Sequence, residues 1–312
     1  CFLFPGKGAF PGEGTQYPGM LADLCMNFPK VRACFDLLER SRLADGLPAW
    51  APMLFPAPGG FDEAQRQSLE AELNRPAAGF ECAFVASLAM LRLLDDVSIK
   101  ADAVLGYGAG EFTAVIARKK RWFDDLDIHL KWVRELARLL GSEEVDDVDQ
   151  PAEGVVVFAD TLWPETRQEL LDKLADKDSK LTLVADNCPN QVTVFGPRTE
   201  SLALVQWLQD QGATPTHFPA KRPHHTSHSK SLATALRDYL QDLDLGTSGI
   251  EFYSGCSAAP LPSEEGAARE MLATQWEQPV RLTETIRRLY ADGFRVFIEV
   301  GPGSMLTTFA RD

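Results

Sequence analysis

The chain has 312 residues, 45% hydrophobic and 24% charged, enough apolar material for one large or two smaller domains. A net charge of −14 excludes a protein built around a basic nucleic-acid face. No apolar run reaches the ~18 residues of a membrane span.

From the start, Cys1–Pro5 predicts a buried strand, followed by two Pro/Gly turns through Gly14. Met20–Arg40 has helical spacing, Leu47–Phe61 is a Pro/Gly-rich loop, and Phe80–Leu94 is an apolar helix buried on most sides. Ala101–Leu105 is a strand that runs into a helix beginning at Gly110–Ile116, and Ile128–Leu140 is another helix. An acidic linker, Gly141–Glu153, precedes a change of pattern. Val155–Ala159, Leu181–Ala185, Val192–Phe195 and Thr214–Phe218 are predicted strands, with helices at Pro164–Leu174 and Thr199–Gln211. This β-α-β-β-α-β order is that of a ferredoxin-like module over 154–220. Alternating elements then resume, with helices in His225–Leu243, Glu264–Trp276 and Val280–Asp292 and strands at Phe252–Ser254 and Val296–Val300. The expected class is α/β: a parallel-sheet large subdomain, 1–143 and 222–312, interrupted by an inserted ferredoxin-like small subdomain, 144–221.

Six cysteines (Cys1, Cys25, Cys34, Cys82, Cys188, Cys256) form neither a C-x-x-C pair nor a zinc-spaced cluster with histidine, so reduced thiols in the cytoplasm are expected. No signal peptide is visible, and a start at Cys1 without Met, inside an apolar run, predicts a piece of a longer polypeptide.

Chemistry concentrates at Ala103-Val104-Leu105-Gly106-Tyr107-Gly108-Ala109-Gly110-Glu111-Phe112. An apolar strand, a glycine-rich turn and a helix form the layout of a nucleophile elbow, G-x-S-x-G, with Gly108 where the serine stands. The backbone N–H of Ala109 and the helix N-terminus are suited to an oxyanion. The glycine pattern alone fits an ordinary strand–helix turn as well. Dinucleotide binding through G-x-G-x-x-G is ruled out, because Glu111 holds the last glycine position. A serine nucleophile needs a base. Three of five histidines crowd into Arg222-Pro223-His224-His225-Thr226-Ser227-His228-Ser229, either a base-bearing loop or exposed surface.

Several segments resemble, in order, the malonyl-CoA:acyl-carrier-protein transacylases and the acyltransferase domains of iterative type I synthases. Phe10-Pro11-Gly12-Glu13-Gly14-Thr15-Gln16 is similar to their F-P-G-Q/E-G-x-Q opening, and Gly106–Glu111 to G-H-S-x-G-E. Asn187-Cys188-Pro189-Asn190-Gln191-Val192 resembles N-S-P-x-Q-V, and Ser227-His228-Ser229 the histidine segment. Gln275–Val280 and Glu299-Val300-Gly301-Pro302-Gly303 resemble W-x-x-P-V and E-V-G-P-G. Stretches such as Glu284–Gly303 lean toward synthases of the enediyne or polyunsaturated-fatty-acid type.

The resemblance implies an α/β-hydrolase-like large subdomain and ping-pong acyl transfer from malonyl-CoA through an acyl-serine to the phosphopantetheine thiol of an acyl carrier protein. It implies no metal or resident cofactor, and neighbouring synthase domains as further partners. His228 is the implied base, its partner a backbone carbonyl near Gln275. Glu13 and Ala109 are the implied oxyanion donors. Arg134 is the implied clamp for the substrate carboxylate, one residue beyond the family's spacing, with a helix-surface ion pair as its alternative role. Arg75, in Asn74-Arg75-Pro76-Ala77, replaces a pocket glutamine of T-Q-P-A. His225-Thr226-Ser227-His228 matches neither the H-A-F-H pattern linked to malonyl nor the Y-A-S-H pattern linked to methylmalonyl, Ser227 leaves room for a larger acyl group, and Asn187 joins the substrate residues. The basic run Arg118-Lys119-Lys120-Arg121 suits coenzyme A phosphates or an acidic carrier protein, or is a solvated helix end. Retention of the other site residues around Gly108 favours a Ser→Gly substitution in a competent domain. The alternatives are a naturally non-catalytic docking domain and an unrelated hydrolase-like binding protein.

Overall fold

The computed structural model describes residues 1–5, 16–55, 62–73, 76–119, 122–141, 154–220, 224–241, 245 and 249–312. The expected Pro/Gly turns at 6–15, most of the acidic linker, and Lys120-Arg121 lie outside the described residues.

The elements in chain order are β1 (Phe2–Phe4), α1 (Ala22–Asn27), α2 (Pro29–Ala44), α3 (Ala51–Leu54), α4 (Glu63–Leu73), α5 (Pro76–Asp96), β2 (Ala103–Gly106), α6 (Gly110–Ala117) and α7 (Leu126–Gly141). There follow β3 (Gly154–Asp160), α8 (Pro164–Ala175), β4 (Thr182–Cys188), β5 (Gln191–Pro197), α9 (Arg198–Asp210) and β6 (Thr214–Ala220). The chain closes with α10 (Lys230–Leu240), β7 (Glu251–Ser254), α11 (Glu265–Thr274), β8 (Val280–Arg281), α12 (Leu282–Ala291), β9 (Ile298–Glu299) and α13 (Met305–Arg311). This is an α/β fold.

Two compact units emerge, one of 1–142, 244–252 and 296–306, the other of 143–243, 253–295 and 307–312. The first contains a sheet of order β7-β2-β1-β9. Its central strand β1 runs parallel to β2, Leu3 opposite Leu105, and parallel to β9, Phe2 opposite Ile298. A strand flanked on both sides and covered by helices is apolar at every position, and Phe2, Leu3 and Phe4 are all buried. Helix α5 carries the densest part of this core, from Phe80 to Leu91.

The second unit holds the ferredoxin-like arrangement. Its sheet has the order β6-β3-β5-β4-β8, antiparallel between β6 and β3, β3 and β5, and β5 and β4. Val155, Val157, Val192 and Val194 pack with Leu170, Leu204 and Leu208 of α8 and α9 in one apolar cluster. The short strand β8 extends this sheet, pairing parallel with β4. Residues 253–295 group with this module, and the two-residue β8 supplies a strand bond between them.

Several expectations need correction. The helix expected over Met20–Arg40 is two helices, because Pro29 has no N–H to continue α1 and instead opens α2 at its first turn. The loop expected at Leu47–Phe61 contains α3, and α4 has no signature in the sequence because its few apolar residues give it no buried stripe until Leu73. The helix expected from Val280 begins at Leu282, since β8 takes the first two residues. The strand expected at Val296–Val300 is limited to β9, two residues long. Among the described residues no single helix is long and apolar enough to cross a membrane, and all six cysteines are free.

Candidate active site

In the first unit, β2 meets α6 through Tyr107, Gly108 and Ala109. The turn is held by Tyr107 N–H donating to the Phe4 carbonyl at 3.1 Å and Gly110 N–H to the Tyr107 carbonyl at 2.9 Å. Gly108 sits at φ +53°, the left-handed region that glycine enters freely and serine only with strain. Its neighbours are glycine for a different reason. A Cβ on Gly106 would lie 2.2 Å from the Glu111 Cα, and one on Gly110 would lie 2.1 Å from the Phe4 carbonyl oxygen. The glycines of this turn therefore permit backbone contact that no side chain allows. Ala109 is the N-cap of α6, so its N–H is among those with no acceptor within the helix.

The helix face behind the turn is fixed by aromatic packing. Phe112 of α6 meets Phe80 of α5 and Trp132 of α7 edge-on, with centroids 6.4 and 5.3 Å apart. Next to these aromatics lies a buried ionic network. Glu81, within the apolar first half of α5, accepts from Arg134 Nε at 3.0 Å, pairs with Arg42, and accepts from Trp50 Nε1 at 2.7 Å. The Arg42 guanidinium also lies over the Trp50 ring, 3.9 Å from its centroid. Arg134 Nη1 pairs with Asp45, and Nη2 donates to Ser41 Oγ at 3.3 Å. The expected clamp is thus an interior member of a network, with protein acceptors on all three nitrogens. Glu13 and Arg75 lie outside the described residues.

In the second unit, the loop before α10 has an unusual backbone. His225 adopts φ +61° and is buried, held flat on Trp276 with rings 5.1 Å apart and 19° between planes. His225 Nδ1 lies 3.1 Å from the Gln275 carbonyl oxygen. Nδ1 also lies 3.6 Å from Cys256 Sγ; the carbonyl is the nearer partner and only accepts, which assigns the proton to Nδ1 and the lone pair to Nε2. Nε2 is buried and has no hydrogen-bond partner among the described residues. The partner expected for His228 is therefore engaged by His225. His228 instead stands edge-on to Phe195 at 6.2 Å, and its backbone N–H donates to Thr226 Oγ1 at 3.3 Å, the cap of a short 3-10 helix, Ser227–Ser229. Two histidines three apart, each followed by Thr or Ser, look alike in sequence; the strained backbone that separates them is not legible there. Ser227 is exposed. Asn187 is buried at the β4–β5 hairpin, donating to Gln191 Oε1 at 2.7 Å and Thr193 Oγ1 at 3.3 Å. Among the described residues no group of three His, Cys, Asp or Glu is placed to hold a metal ion.

Burial pushes the His225 imidazole down from 6.5 to about 4, against the opposing pull of backbone groups of Gln275 and Gln278. The folded state therefore binds this proton less readily than the unfolded chain, and stability is lost as pH falls from about 6.5 towards 4. Between pH 7 and pH 5 the chain is expected to lose about 2 kcal/mol more than a His225→Gln variant in denaturant unfolding. Parallel losses in the two proteins would contradict the buried neutral imidazole.

No family model matches the chain. It is 25% identical over 300 residues to the malonyl CoA-acyl carrier protein transacylase of Bacillus subtilis (strain 168), covering 96% of this chain and 87% of that protein. It is 26% identical over 314 residues to the spectinabilin polyketide synthase system protein NorB of Streptomyces orinoci, 97% of this chain but 13% of that far longer one. Among solved structures, the malonyl-transacylase of a type II polyketide synthase, in complex with its acyl-carrier protein, superposes with a TM-score of 0.75 at 24% identity, over 99% of this chain and 91% of that one. The chain has the fold of the malonyl-CoA:acyl-carrier-protein transacylases, and a free-standing transacylase and a polyketide synthase are among its sequence relatives.

Proposed function

We propose that this chain is an acyltransferase domain that moves a malonyl unit from malonyl-CoA to the phosphopantetheine thiol of an acyl carrier protein, with Gly108 standing in place of the serine nucleophile. The observation that carries this reading is the His225–Gln275 pair, which leaves a neutral imidazole with Nε2 available as a base. With serine at position 108, its hydroxyl oxygen attacks the thioester carbonyl while Nε2 of His225 takes the proton. The tetrahedral oxyanion is met by the N–H groups of Ala109 and Glu13. Collapse expels the coenzyme A thiolate, which recovers the proton from the imidazolium. The carrier thiol then attacks the acyl-serine ester by the same steps in reverse order. In this reading His225 takes the role expected of His228, and Arg134 receives the malonyl carboxylate. Asn187, Ser227 and Arg75 remain proposed pocket residues.

The wider setting proposed is a cytoplasmic multidomain synthase of the enediyne or polyunsaturated-fatty-acid type, with the chain divided as 1–143 plus 222–312 around an inserted 144–221. A second reading, a naturally non-catalytic docking domain, is favoured by one observation: φ +53° at residue 108 suits glycine without strain. The two separate on one experiment. The Gly108→Ser chain is incubated with malonyl-CoA and a phosphopantetheinylated carrier protein, and the intact mass of the carrier protein is followed. Malonylation that depends on the introduced serine supports the acyltransferase. A folded Gly108→Ser chain that transfers no acyl group from any acyl-CoA leaves the docking reading.

A further inference from the structure

The network around Arg134 grades from buried to open. Side-chain exposure is 2% at Glu81, 6% at Arg42, 16% at Arg134 and 39% at Asp45. The inner end is saturated: one Glu81 oxygen serves Arg42 and Trp50 Nε1, and the other serves Arg134 Nε. Removing Glu81 from between two guanidinium groups would strand buried charge, so this carboxylate is fixed. The outer end differs. Asp45 is the cap residue just after α2, where the helix dipole is negative and a carboxylate is locally disfavoured. The chain there turns through Gly46 at φ +71°, with Leu47 N–H returning to the Arg42 carbonyl at 2.9 Å, which holds Asp45 against Arg134. Two arginines and two carboxylates leave the cluster without net charge, so it presents no excess positive charge to an arriving anion.

We propose that Asp45 is an internal stand-in for the substrate carboxylate. It occupies the Nη1 side of Arg134 and is displaced when an acyl group ending in a carboxylate binds, while Glu81 keeps the Nε side fixed. This rests on the reading of Arg134 as the carboxylate clamp and deepens it, because it makes Asp45 a specificity-determining residue. Competition from Asp45 weakens acyl groups that carry a carboxylate and leaves uncharged acyl groups untouched. Asparagine at position 45 keeps the shape and removes the charge that competes.

Calorimetric titration of the chain, without any change at Gly108, tests this with malonyl-CoA and acetyl-CoA as probes. Asp45→Asn is expected to tighten malonyl-CoA by about tenfold and to leave acetyl-CoA unchanged, and Asp45→Ala to follow the same pattern. Equal shifts for both thioesters, or no shift for malonyl-CoA while acetyl-CoA still binds, would overturn the role of Asp45 and leave the acyltransferase reading standing. Failure of both thioesters to bind the parent and both variants would overturn the acyltransferase reading together with this inference.

Discussion

In the Gly108→Ser chain, His225→Ala is expected to lower acyl transfer by about a thousandfold, and His228→Ala to change it by no more than a few fold. The asymmetry follows from the surroundings of the two rings. His225 is buried on Trp276 with Nδ1 on the Gln275 carbonyl, so its Nε2 is a base of fixed tautomer. His228 borders Phe195 and lies on a 3-10 turn whose cap is Thr226. The measurement is single-turnover malonyl transfer by rapid quench, with denaturant unfolding run beside it to show that both variants fold. His225→Gln is a necessary companion, because glutamine keeps a donor for the Gln275 carbonyl but has no titrating nitrogen. A loss confined to His228→Ala would restore the assignment expected from sequence.

The second large effect is on stability. Glu81→Ala is expected to cost about 3–5 kcal/mol, because it leaves the guanidinium groups of Arg42 and Arg134 without their buried counter-charge. The side chain is 2% exposed, with two arginines and the Trp50 indole on its two carboxylate oxygens. Cavity formation alone would cost less for a side chain of this size. Glu81→Gln separates the two contributions, since it keeps the volume and part of the hydrogen bonding. Chemical denaturation of the three proteins at one pH gives the comparison. A Glu81→Ala loss below about 1 kcal/mol would show that the network is not the anchor of α2, α5 and α7 that its geometry describes.

Much of the architecture was readable in the residues. The alternation of apolar strands with 3.6-period helices announced the α/β class, and the β-α-β-β-α-β order between 154 and 220 matches the sheet order β6-β3-β5-β4. What was not readable had local causes. Helix α4 hides because it buries almost nothing, and the α1–α2 break depends on one proline. The glycines of the elbow were legible as a pattern, yet their reasons are backbone contacts, Gly106 against Glu111 of the following helix and Gly110 against Phe4 of β1, which is distant in sequence. The sequence points to His228 in the crowded histidine loop; the proposal of His225 instead rests on its positive φ and on a carbonyl fifty residues away. Arg134 stands out in the sequence only through the resemblance, one residue beyond the family's spacing. That its guanidinium is shared with Glu81 and Asp45 follows from packing of α2, α5 and α7, which no spacing along the chain displays.

The central claim is that residue 108 is the place where an acyl group is carried. Peptide mapping by mass spectrometry, after incubation with malonyl-CoA, tests it on the Gly108→Ser and Gly108→Ala chains together. A hydroxylamine-sensitive malonyl ester is expected on the peptide containing residue 108 in the serine chain, and none in the alanine chain. A malonyl adduct on any other residue, or a folded serine chain that stays unmodified, would contradict it.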